Sequence, residues 1–137
     1  MALSALLGVF LQNRFLTDHT LQILITFFLG GILGWLPGVA MARLIAFEQT
    51  RIVAQVATII CLAVSTLIIT ALIFALQYRV FYAQWHEPAF SRIWFFQQLF
   101  TSLGAAYQFA VLGTRLCLPA APVFLLAASY ALCRRMR

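Results

Sequence analysis

At 137 residues, 64% apolar, 9% charged and with a mean hydropathy of +0.99, this chain has too few charges to cover a water-facing globule; such a surface usually needs about a quarter charged residues. Lipid is the expected main solvent. The net charge of +6 does not point to nucleic acid, because all nine basic residues are arginines scattered at the ends of apolar runs, where they read as membrane-interface anchors and orientation signals.

In chain order, residues 2–12 are apolar but too short to cross about 30 Å of hydrocarbon as a helix, which takes about 20 residues. They lie in the interface, re-enter the bilayer, or span only if the helix continues to Leu16. A polar break follows, with Thr17 or Asp18 as a helix N-cap. No cleaved leader is expected, since a basic start and a following cleavage site are both missing. The first span runs over 21–42 and is closed by Arg43. After the link Glu48-Gln49-Thr50-Arg51 comes a second span over 52–78, longer than the hydrocarbon core and free of charge. Residues 79–92 form an interfacial loop in which Arg79, Trp85, Arg92 and then Trp94 make the aromatic and arginine belt of a lipid–water boundary. A third run, 93–114, carries Gln97, Gln98 and Gln108, which should face protein rather than lipid. Arg115 interrupts, and a fourth run, 116–133, ends in Arg134-Arg135-Met136-Arg137. Pro119 and Pro122 make residues 114–122 a loop or broken helix. The expected architecture is one all-α polytopic membrane domain of about four spans.

Four spans place Arg14, Arg79, Arg92, Arg134, Arg135 and Arg137 on one side and Arg43, Arg51 and Arg115 on the other. Because positive loops stay inside, both termini are expected on the cytoplasmic, matrix or stromal side. An inner, energy-transducing membrane is favoured over the plasma membrane.

Inside the first span, small residues recur at every fourth position: Gly30, Gly34, Gly38 and Ala42. On a helix they line one face, where another backbone can approach closely. The spacing does not say whose backbone that is. Pro37 lies in the same stretch and is expected to kink the helix.

Gly8-Val9-Phe10-Leu11, Thr17-Asp18, Thr26 and Gly34-Trp35-Leu36-Pro37-Gly38 with Ala42 follow one another in the order of a known pattern. Residues 8–47 resemble the plasma-membrane proteolipid-3 family of small, salt-stress-induced hydrophobic peptides. Ala5-Leu6 stands where that family has Pro-Pro, about five additional residues lie between Thr26 and the Trp-x-Pro-Gly segment, and residues 48–137 add further spans. The resemblance implies a helical hairpin extended by later spans and a role in membrane potential or ion homeostasis, without catalytic residues.

Chemistry-bearing residues are sparse. His86-Glu87 reads either as a proton relay or ligand pair or, more simply, as a polar interfacial loop, since adjacent helical positions do not face one another. Arg115 reads as a partner for an acidic group or lipid phosphate, or as a loop arginine reaching the interface. Cys61, Cys117 and Cys133 have no metal-ligand spacing and read as packing residues. Asp18, Glu48 and Glu87 are the only acids, and none lies within a predicted span to carry a proton or cation. Neither a catalytic constellation nor a cofactor or metal site is expected. The function expected is that of a non-catalytic accessory subunit of a larger membrane complex, bioenergetic in kind, with lipids and other integral membrane subunits as partners. The alternative is a proteolipid-like influence on membrane potential.

Overall fold

A computed structural model describes residues 1–11, 20–118 and 120–135. The expected N-cap at Thr17 or Asp18, together with Arg14, Pro119 and Arg137, lies outside the described residues. Those residues form an all-helical chain: α1 (Ala2–Leu11), α2 (Thr20–Ala46), α3 (Arg51–Tyr82), α4 (Arg92–Gln108), a π-helical turn (Phe109–Gly113) leading straight into α5 (Thr114–Cys117), and α6 (Ala121–Arg135).

The helices α2 and α3 are long and apolar enough to cross a membrane. Between them the chain reverses in four residues, with Glu48 in the left-handed region at φ 57° and the Gln49 N–H donating to the Ala46 carbonyl. At the far end of α3 a short 3₁₀ turn, Ala83–Trp85, leads to α4, whose N-cap Ser91 accepts a hydrogen bond from the Trp94 N–H at 3.0 Å. That bond satisfies one of the orphan donors that every helix start leaves.

The described helices do not confirm four spans. The described helices provide two candidate crossings, or up to three if Arg92–Cys117 and the following α6 count as one broken span. The pair is bent by 74°. At about 1.5 Å per residue, the 15 residues of α6 reach only about 22 Å, short of the hydrocarbon thickness. Residues 114–117 are helical, so Arg115 is a helix residue and the break falls after Cys117. The described part of α1, 10 residues, reaches about 15 Å; whether the helix continues to Leu16 lies outside the described residues.

The reduced count changes which arginines share an end. Arg134 lies with Arg43 and Arg51 around one cleft beside the α2–α3 turn, and Thr58 Oγ1, near the start of α3, sits 3.6 Å from Cys133 Sγ on α6. Arg134 therefore belongs with Arg43 and Arg51, not with Arg79 and Arg92 as four crossings require.

Burial is inverted relative to a water-soluble protein. Fully covered positions are mostly small, including Ala5, Gly30, Gly34, Thr58, Thr70 and Ser129, whereas Leu36, Leu44, Ile52 and Phe100 are more than half exposed. Small residues inside and large apolar ones outside suit a solvent of hydrocarbon, where close packing rather than water exclusion joins helices. Phe27, on α2, and Phe109, in the π turn, are the large members of a core they share with Ala5 and Cys117.

Candidate functional site

Each glycine of the small-residue face of α2 meets α3. A Cβ added at Gly30 would lie 2.8 Å from Thr70 Cα, one at Gly34 2.6 Å from Thr66 Cα, and one at Gly38 3.3 Å from Leu62 Cα. The partners step back by four as the glycines step forward by four, which is antiparallel register. Continuing it sets Ala42 opposite Thr58, both fully buried. The facing threonines turn their hydroxyls onto their own helix: Thr58 donates to the Ala54 carbonyl, Thr66 to Leu62 and Thr70 to Thr66, at 2.6–2.7 Å. Already satisfied, they meet the glycines as a small, effectively apolar surface. Ser65 does the opposite, donating across the interface to the Gly34 carbonyl at 2.7 Å. This bond lies next to Pro37, whose missing N–H deprives the neighbouring Leu33 carbonyl of its helical donor. α2 nevertheless runs on helically through Pro37, which is exposed.

At the opposite end from the α2–α3 turn, His86 is clasped by α4. Gln98 Nε2 lies 3.1 Å from His86 Nδ1 and Thr101 Oγ1 3.3 Å from Nε2, while the Gln97 amide oxygen accepts from the Glu87 N–H at 3.0 Å. With the amide N–H donating to Nδ1, the proton sits on Nε2 and donates to Thr101, whose own hydroxyl donates to the Gln97 carbonyl. His86 and Glu87 thus bond to α4 rather than forming a relay with each other. His86→Ala is expected to loosen this loop by about 1–2 kcal/mol. Hydrogen exchange over residues 83–101 should rise while the α2–α3 pair stays protected. Around the clasp, Tyr78, Phe81, Tyr82 and Trp85 form a chain of ring contacts with centroids 4.6–5.8 Å apart, and Phe90 and Trp94 pair at 5.6 Å. Trp85, Arg79 and Arg92 are exposed beside them.

Two further spaces were not legible in the sequence. One, about 650 Å³, lies between α1, α2, α3 and the π turn; Phe27, Phe74 and Phe109 form its apolar wall, and Gln22, Gln77 and Arg115 line it too. Thr26 bridges its wall: its single hydroxyl proton is shared between the Gln22 carbonyl at 2.8 Å and the Gln77 amide oxygen at 3.0 Å. π turns mark functional positions in many helices, and this one buries Gly113 under the Phe109 ring. The other, about 640 Å³ and mostly apolar, is lined by Met1, Ser4, Trp35, Thr66 and Cys117 among others. Among the described residues Ser4 Oγ is buried without a hydrogen-bond partner. Cys61 and Cys117 are buried and all three cysteines are unpaired. Among the described residues no group of three or more His, Cys, Asp or Glu could hold a metal ion.

Around the α2–α3 turn, a cleft of about 990 Å³ collects Arg43, Arg51 and Arg134 with Glu48, Gln55 and Tyr130. The Arg134 guanidinium stands over the Tyr130 ring, 5.7 Å from its centroid, at a distance typical of cation–π attraction. Arg135 ends α6 next to it in sequence. No family model matches the chain, and neither a curated protein nor a solved structure shows significant similarity to it.

Proposed function

We propose that the chain is a non-catalytic accessory subunit of a larger integral membrane assembly, built on the α2–α3 hairpin. The observation that carries this reading is the state of α4. Ala105 is the one buried residue among its 17, and its exposed positions combine Phe95, Phe96, Phe100 and Leu103 with Ser102. Lipid covers phenylalanine as readily as protein does, but it offers nothing to a hydroxyl, whereas a neighbouring helix can. The glycine face contributes nothing to such docking, since α3 already fills it.

Orientation follows from the arginines. Arg43, Arg51, Arg134 and Arg135 gather at one end, against Arg79, Arg92 and Arg115 at the other. By the positive-inside rule the end bearing the α2–α3 turn and the close of α6 faces the cytoplasm, matrix or stroma.

The test is the native mass of the untagged protein after gentle detergent extraction, with mass spectrometry of what co-migrates. A large particle containing other defined membrane proteins, lost in a Phe96→Ala/Phe100→Ala/Ser102→Leu variant that keeps its helicity, is the expected result. A small particle holding only this chain and lipid would contradict it and favour a proteolipid-like action on membrane potential, to be read by ion-leak assays.

A further inference from the structure

We propose that the cleft formed by the α2–α3 turn and the end of α6 binds the headgroup of an anionic phospholipid, with Arg43, Arg51 and Arg134 as its phosphate ligands. The three arginines come from three helices and line one space of about 990 Å³, at the upper end of what a small-molecule site occupies. Glu48 is the single acid lining it, and none of the three arginines forms an ion pair within the described residues. The cleft is therefore cationic, three guanidiniums against one carboxylate. Guanidinium groups bind phosphate oxygens through paired N–H donors, and Tyr130 already holds the Arg134 guanidinium in place.

Two neighbouring features select a lipid over a free anion. The cleft lies where two candidate membrane spans end, the level at which headgroups sit. Leu44, Phe47 and Ile52, 71–80% exposed, flank it on both sides of the turn and offer an apolar surface for acyl chains. Thr50 makes no side-chain cap at the start of α3, so the first-turn N–H groups add positive potential at the same end. Basic pockets between membrane helices on the cytoplasmic or matrix side commonly take anionic headgroups. The site is independent of α4 and of any partner subunit, and it requires that α2 and α3 cross the bilayer and that the end of α6 packs beside their turn.

The experiment uses the full chain purified in a neutral detergent and titrated with phosphatidylglycerol, phosphatidylcholine or inorganic phosphate, read by native mass spectrometry and thermal stability. Phosphatidylglycerol is expected to bind and raise the melting temperature. The double variant Arg43→Gln/Arg134→Gln should weaken that binding at least tenfold, and Glu48→Gln should tighten it. Arg79→Gln/Arg92→Gln, of equal net charge, should leave it in place, which separates a local site from overall charge. Equal binding of phosphatidylcholine, an equal stabilisation by phosphate alone, or equal losses in the two double variants would each overturn the proposal. If the Arg43/Arg134 variant fails to fold, the Glu48→Gln arm still decides: unchanged or weaker binding contradicts the site.

Discussion

Gly34→Leu is expected to force α2 and α3 apart and to lower stability by about 3 kcal/mol, at the upper end of overpacking costs. A β-carbon there meets Thr66 Cα at 2.6 Å and the Ser65 carbonyl oxygen at 3.1 Å. Both are backbone atoms that cannot rotate aside. The substitution also displaces the carbonyl that accepts the Ser65 hydroxyl, leaving a buried donor without a partner. Gly104→Ala is the counter-case. Its nearest neighbour would be the Tyr78 hydroxyl at 4.0 Å, so relief of glycine's entropic cost in a helix should stabilise α4 by about 0.5–1 kcal/mol. Both are measurable by denaturing-detergent titration followed by helicity. A Gly34→Leu variant as stable as wild type would mean that the α2–α3 contact is not made as described.

The second large effect is expected at α1. A β-carbon at Gly8 would fall 2.7 Å from the Leu116 carbonyl oxygen and 2.9 Å from its Cα, again backbone. Gly8→Val should lift α1 off α5 as a unit and open the space behind it, where Cys117 lies 4.0 Å from the Met1 sulfur. Maleimide labelling, assigned residue by residue by mass spectrometry, should show Cys117 becoming at least tenfold more reactive. Cys61, on α3 away from α1, should keep its protection. Equal labelling of Cys117 in both proteins would show that α1 does not cover it.

What could be read in the sequence, and what could not, follows from how far each feature reaches along the chain. The face carrying Gly30, Gly34, Gly38 and Ala42 is legible because helical spacing is a local property. Thr58, Leu62, Thr66 and Thr70 repeat with the same period on the neighbouring run, but nothing local fixes which threonine meets which glycine. The number of crossings is not legible from apolar runs. Hydropathy is blind to direction, so residues 93–133 read as two spans although the helices turn by 74° between them and α6 is too short to cross. Four crossings set Arg134 at the end of Arg79 and Arg92, whereas the packing of α6 beside the start of α3 sets it with Arg43 and Arg51. A charge at the end of an apolar run makes Arg115 read as an interruption, yet a helix continues through it and sets it on the same space as Gln22 and Gln77. The His86 clasp escaped for another reason. Gln98 and Thr101 lie 12 and 15 residues away, brought back by the Phe90 reversal at φ 70°.

The arrangement of α3 and α6 underlies both the orientation and the arginine cleft, and native Cys133 makes it testable directly. In a Cys61→Ala/Cys117→Ala background, Thr58→Cys places a second thiol where the Thr58 hydroxyl now sits 3.6 Å from Cys133 Sγ. Mild oxidation in native membranes should form an intramolecular disulfide in that variant and none in an Ala83→Cys counterpart at the other end of α3. A disulfide from Ala83→Cys, with none from Thr58→Cys, would return the end of α6 to the side of Arg79 and Arg92 and contradict the three-helix arginine site.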